Sequence, residues 1–202
     1  MTIYAIEHIK DIGSGEMHAQ LFRCSDGYSY VVKFISNPLG RKALFNELIS
    51  FRLGKLLNLP IAEGMVVHFS KNKLKNPDLM EKFKIEEGPH FGSRFLEQAS
   101  HFNRLQLPLC DNIGIAPEMI VFDYWISNFD RARQPSNLLI VGKQSPSLAL
   151  IDHADAFRKS NWNITSILSR IDNMEVRWGQ VYQEFVPYID QKQPFQTALE
   201  KL

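Results

Sequence analysis

The sequence predicts an α+β fold in two lobes: an N-terminal antiparallel sheet with one main helix, then a mainly helical lobe carrying a β-hairpin. Three observations predict it. Short β-rich runs separated by turn words fill the first part of the chain. From Ser100 on, that pattern gives way to helix and loop. And residues 120–157 hold an apolar helix-like segment, a polar loop, and two short apolar runs joined by a turn. The 202 residues suffice for one sizeable domain or two small lobes sharing a cleft. The expected lobes are 1–98 and 99–202, divided near Gln98.

Ile3 to Ile9 reads as a strand, broken by the turn word Asp11-Ile12-Gly13-Ser14-Gly15. Ala19 to Cys24 is a second strand. Asp26-Gly27 then signals a hairpin into a third, Tyr28 to Ile35, rich in β-formers. Lys33 lies in that otherwise apolar run, as a snorkelling or solvated lysine or as a functional one. A helix follows Asn37-Pro38-Leu39-Gly40. Ala43, Leu44, Leu48, Ile49, Phe51, Leu56 and Leu57 give it an apolar face, and Asn58-Leu59-Pro60 ends it. Glu47 borders that face with no basic residue three or four positions away. It is either a solvent-facing acid or one whose partner comes from elsewhere in the fold, Lys33 being the candidate.

Ile61 to Phe69 reads as a further strand. Residues 70–88, charged and mixed in sign, read as solvated decoration with a short surface helix around Leu79 to Phe83. Phe91 to Leu96 returns as a strand. Pro117 to Asn128 is apolar nearly all round, which marks a buried helix; Asp123 within it caps something or bonds buried backbone. Phe129 to Asn137 is a polar loop with Asp130 and Asn137. Leu138 to Val141 and Leu148 to Ile151 are strands joined by 142–147. The hairpin folds the chain back, so Asp152 at its exit returns to the level of Asn137 at its entrance. Asp and Asn oxygens are hard ligands suited to magnesium, and a remaining carboxylate, Asp130, suits proton acceptance from an attacking hydroxyl. Taken singly, each acid also suits a turn or a cap. Ile164 to Ile171 and about Met174 to Tyr188 read as helices, with Trp162 and Trp178 as core.

Composition narrows the function classes. Hydrophobic content of 45% and charge of 22% are ordinary for a globular protein. A net charge of +1 gives no strong nucleic-acid signal and no pull toward acidic membranes. Cys24 and Cys110 form neither a disulfide framework nor a metal motif, so a reducing cytoplasm is the expected location. No signal peptide is visible, and no run approaches the roughly 18 apolar residues of a membrane span. The six histidines have no metal-site company.

Kinase-like folds place a catalytic Asp and a metal-binding Asn in one loop, then a hairpin, then a metal-binding Asp. Here the words YVVKF, ALFNELISFRLGKLLNLP, NFDRARQPSNLLI and LALIDHADAF follow in that order. Through them the chain resembles the HipA-like kinase family, particularly its small bacterial members, over about residues 5 to 157. The resemblance implies a protein-kinase-like fold with nucleotide held mainly by the first lobe and catalysis in the second. Lys33 would hold the α- and β-phosphates of ATP, steadied by Glu47, and Gly13-Ser14-Gly15 would stand in the phosphate-loop position. Asp130 would be the catalytic base, with Asn137 and Asp152 on magnesium. Leu139 and Ile151 would lie under the adenine, and backbone near Glu97, Gln98 and Ala99 would bond its edge. Arg131 and Arg133 would contact phosphate or order the loop.

The chain departs from the protein-kinase pattern in places. Asp130 and Asn137 are seven apart where protein kinases use five. The glycine turn is not G-x-G-x-x-G. His153 stands where many protein kinases have Phe, and no A-P-E word follows. The implied function is a γ-phosphate transfer from ATP to a hydroxyl, with a protein Ser/Thr kinase as the expected type. The alternative is a catalytically weak or inactive kinase-like module that acts through nucleotide or protein binding.

Overall fold

The computed structural model describes residues 2–12, 17–171 and 179–189. The Gly13-Ser14-Gly15 turn, Trp178 and the Met174–Trp178 part of the expected last helix lie outside the described residues. In chain order the elements are β1 (Ile3–Asp11), β2 (Gln20–Cys24), β3 (Ser29–Lys33), α1 (Arg41–Leu56), β4 (Gly64–Phe69), α2 (Asp78–Lys82) and β5 (Gly88–Arg94). They continue with β6 (Ala99–His101), α3 (Ala116–Trp125), β7 (Leu138–Val141), β8 (Ser147–Leu150), α4 (Ile164–Ile171) and α5 (Gln180–Gln183). Among the described residues no helix is long and apolar enough to cross a membrane.

The first five strands close into a barrel in the order β1-β2-β3-β5-β4. Four of its five pairings are antiparallel; the fifth, β1 with β4, is parallel through Ile3–Val67 and Tyr4–His68. Register shifts within β1 bend it toward that closure. The β2–β3 turn forms as its sequence signals: Gly27 takes φ 85°, and Asp26 accepts hydrogen bonds from the Tyr28 N–H at 3.1 Å and the Tyr30 hydroxyl at 2.7 Å. Phe22, Phe34 and Phe69 fill the barrel edge to face, with Phe22 and Phe69 ring centres 4.9 Å apart. Leu74, Met80 and Ile85 join that core. Residues 70–88, which the charge pattern marks as decoration, therefore also supply apolar residues to the barrel.

A second core lies under the hairpin. Met119, Ile120 and Phe122 of α3 pack with Leu138, Ile140, Leu148 and Leu150, and Val181, Tyr182 and Phe185 complete it. Phe51, Leu59 and Ile61 reach the same core from the first half of the chain. The backbone joins the halves as well: Leu150 N donates to Pro60 O at 2.8 Å and Ala62 N to Leu150 O at 3.0 Å. β6, a strand the sequence pattern does not signal, pairs antiparallel with β7 and widens the hairpin to three strands. Ala-Ser-His has little β-preference of its own, so the open edge of β7 is what draws it in.

The barrel wall leaves no room at Gly92, where an added Cβ would lie 2.7 Å from Val67 Cγ2 and 3.2 Å from Tyr30 Cβ. Gly92→Val is expected to cost about 1–3 kcal/mol by urea denaturation. Gly114→Ala, with nothing within 4 Å of the new methyl, is expected to stay within about 0.5 kcal/mol.

Candidate active site

Three elements bring one cation and two carboxylates together. Lys33 ends β3, Glu47 lies in the middle of α1, and Asp152 follows β8. Lys33 Nζ donates to Glu47 Oε1 and, at 2.8 Å, to Asp152 Oδ1. Glu47 is 3% exposed and its second oxygen accepts the His153 N–H at 2.9 Å. Of the readings open for Lys33 and Glu47, mutual pairing is the one realised; neither faces solvent. Burial works against the Lys33 charge, but the two carboxylates outweigh it and hold the ammonium above its ordinary range. Burial pushes Glu47 up to about 7, against the pull of Lys33. Burial also works to raise Asp152, yet the adjacent ammonium and hydrogen bonds from Lys33 and the Ala154 N–H hold it below the usual carboxylate range. With both carboxylates ionised the trio carries a net negative charge, and the side chain of Asp152, 38% exposed, is its open end.

The second group hangs from the loop after α3. Asp130 Oδ1 accepts the Arg131 N–H at 2.7 Å and Oδ2 accepts from Asn137 Nδ2 at 2.6 Å, so both oxygens are oriented. Burial, opposed by Arg131 and reinforced by Asp155, Asp152 and Asp123, raises Asp130 to about 6. The Asn137 carbonyl accepts from Ile151 N at 3.2 Å, which sets the exit of the hairpin level with its entrance. Asp152 itself takes φ 55°, a left-handed conformation, as it leaves the strand.

Arg131 holds this loop from beneath. It is wholly buried. Its Nε donates to Asp123 at 2.8 Å, its Nη1 to the carbonyls of Asn137 and, at 2.9 Å, Ile151, and its Nη2 to His153 Nε2 at 2.6 Å. Burial and the nearby Arg131 and Lys33 charges keep His153 well below its ordinary range, so a neutral imidazole is the acceptor. Asp123 also accepts from the Tyr182 hydroxyl and Asn128 Nδ2. Of the two roles open to Arg131, ordering the loop is the one these hydrogen bonds serve. Asp123, Tyr182 and Asn128, given no chemistry by the sequence, belong to this network with His153.

Asn46 is a participant that sequence reading misses. Fully buried on α1 beside Glu47, its Nδ2 donates to the carbonyls of Ala154, Ala156 and Lys159 at 2.9, 2.7 and 2.9 Å. Its Oδ1 accepts from Trp162 Nε1 at 2.9 Å. Trp162 is thus docked on α1, half-buried under Phe45 and Lys42, rather than in the core. The grip spans Phe157, Arg158 and Lys159, which take φ of 54°, 71° and 68° in succession. Non-glycine residues pay about 1–2 kcal/mol each for that conformation. Asn46 and the Phe157 N–H bond to Ile126 O, at 2.7 Å, hold them there.

The remaining expected residues are placed as follows. Leu139 and Ile151 are half-buried on the hairpin, and Glu97 and Gln98 are exposed ahead of β6, with Ala99 opening that strand. Arg133 is exposed and lines a cavity with residues of 101–104 and 180–184, away from the Lys33 trio. Among the described residues no three His, Cys, Asp or Glu gather as a metal cage. The Asn137 amide oxygen and the Asp152 carboxylate are nonetheless hard donors beside a negative trio. That donor set fits magnesium, which is bound through one or two protein ligands plus phosphate oxygens.

A family model described as HipA-like kinase matches residues 5–202. No curated protein sequence matches significantly. Among solved structures, the Helicobacter pylori proinflammatory kinase CtkA is similar with a TM-score of 0.60 at 14% identity, over 98% of this chain and 81% of that one. A Golgi casein kinase with Mn/ADP bound is similar with a TM-score of 0.50 at 12% identity, over 98% of this chain and 66% of that one. A second Golgi casein kinase structure gives 0.51 and 12%, over 98% and 65%. At these identities the likeness is one of fold: a protein-kinase-like α+β architecture.

The buried trio predicts a non-additive pair of substitutions. Lys33→Met leaves Glu47 buried without its counter-charge and is expected to cost about 3–5 kcal/mol. Adding Glu47→Gln is expected to restore more than half of that loss, measured as a double-mutant cycle by urea denaturation.

Proposed function

Because the chain belongs to the HipA-like kinase family, we propose that it is an ATP- and magnesium-dependent phosphotransferase acting on a hydroxyl, of the protein Ser/Thr kinase type. Family and fold support phosphoryl transfer in general. The observation that carries the finer reading is the convergence of Lys33, Glu47 and Asp152 opposite the Asp130–Asn137 loop. A neighbour of the same fold was solved with Mn/ADP bound, which agrees with a nucleotide and a divalent cation as cofactors.

In this reading Lys33 pairs the α- and β-phosphates and Glu47 fixes its position. Asn137 and Asp152 hold magnesium, whose chemistry when bound is to neutralise phosphate charge. Leu139 and Ile151 lie under the adenine, and the backbone around Glu97 to Ala99 meets its edge. The lobes divide near Gln98, so the nucleotide lies between the barrel and the hairpin. Asp130 receives the acceptor's proton. The acceptor oxygen bonds to the γ-phosphorus while the bond from that phosphorus to the β–γ bridging oxygen breaks; the hydroxyl proton passes to Asp130 and ADP leaves. The chain's contribution is positioning and charge placement. A cytoplasmic location goes with this reading, since a reducing compartment suits the two buried free cysteines.

A base can accept a proton only when ionised. Asp130, raised to about 6, is therefore expected to give transfer rates that are level above pH 7 and fall about tenfold per unit below pH 6. Asp130→Asn is expected to lose about 10²–10⁴ in rate while still binding ADP. A rate that stays flat down to pH 5, or an active Asp130→Asn, removes Asp130 from the base role.

A further inference from the structure

A cavity of about 490 Å³ lies beside the Asp130 loop and takes in none of Lys33, Glu47, Asp130, Asn137 or Asp152. Its walls come from the end of β6 and the segment after it, with His101 and Arg104; from the loop, with Arg133; and from α5 and its exit, with Gln180 and Glu184. Phe102, Pro135 and Val181 supply apolar floor.

The walls are tied to the loop. Arg133 N donates to Asp130 O at 2.8 Å, so a cavity arginine and the candidate base share one turn. Val181 N donates to Ala132 O at 3.0 Å. Gly179 packs so closely that a Cβ there would lie 2.1 Å from the Ala132 carbonyl. The cavity is thus built into the scaffold that orients Asp130.

Its charge is lopsided. Two arginines, Arg104 and Arg133, share the lining with one carboxylate, Glu184. Among the described residues neither Arg104 nor Arg133 forms an ion pair, so Glu184 leaves both guanidinium groups unclaimed. Two exposed guanidinium groups in one concavity offer forked donors for a carboxylate or phosphoryl group. The apolar floor suits flanking side chains of an extended segment. We propose that this cavity is the acceptor subsite and that it recognises a peptide bearing an acidic or phosphorylated residue near the hydroxyl delivered to Asp130. The acceptor role rests on the kinase reading above; the preference for an anionic peptide rests on the cavity alone.

The test is fluorescence anisotropy with fluorescein-labelled peptides of about ten residues, each with one serine flanked by glutamates, phosphoserines, alanines or lysines. The wild type, Arg104→Glu and Arg133→Glu are compared with magnesium and ADP present, and thermal melts show that the variants fold. The wild type is expected to bind the glutamate or phosphoserine peptide about tenfold more tightly than the lysine peptide, and each substitution to erase most of that ratio. Comparing the two acidic arms tells carboxylate from phosphoryl recognition. Equal binding of acidic and basic peptides by the wild type, or a preference that survives both substitutions, overturns the cavity's role. The thermal shift of the wild type with ADP is read in the same samples. No shift overturns the kinase reading and with it the acceptor role, whereas a shift without acidic preference overturns the cavity alone.

Discussion

One ammonium between two carboxylates is the constraint on which the site depends. Lys33 cannot leave Glu47 and Asp152 without stranding buried negative charge, and an uncompensated buried charge is far costlier than the pair is worth. Because the three residues come from β3, α1 and the exit of β8, that cost binds barrel, helix and hairpin to one geometry. A second lysine would quench the trio. With one, and with both carboxylates ionised, the excess negative charge falls at the exposed end, on Asp152, where a divalent cation and phosphates are proposed to sit.

Around the trio, two buried networks hold the backbone in conformations it would otherwise abandon. Asn46 grips the carbonyls on either side of three successive left-handed residues. Arg131 draws together the carbonyls of Asn137 and Ile151 and the ring of His153. Both act next to Asp152 in the chain: Arg131 at Ile151 and His153, Asn46 from Ala154 onward. Neither side chain needs to touch a ligand to matter, since each fixes backbone next to a residue proposed to hold magnesium.

Much of this was legible in the residues. Asp26-Gly27, the apolar helix of 117–128 and the paired runs of 138–151 carry local signals, and strong local signals fold as they read. What was not legible depends on contacts far apart in sequence. Barrel closure rests on two parallel pairs between β1 and β4, and β6 exists because β7 offers it an edge. The face of α1 was misread for a physical reason: its buried positions include Asn46, Glu47, Ser50 and Gly54, while Leu56 is 78% exposed. A helix that buries polar side chains to serve a site breaks the apolar stripe that periodicity detects. Arg131, seen in a polar loop, gave no sign of being core; the nearest hint was Asp123, a buried acid in an apolar helix eight residues before it.

The most direct measurement is calorimetric titration of ADP into the wild type and Asp152→Asn, with and without magnesium. If the trio is the charged floor of a metal–nucleotide site, magnesium tightens ADP binding to the wild type by about tenfold or more. Asp152→Asn then loses that gain while binding metal-free ADP at least as well, because a negative charge has gone. A wild type that binds no ADP, or an Asp152→Asn variant with the magnesium gain intact, would contradict the account.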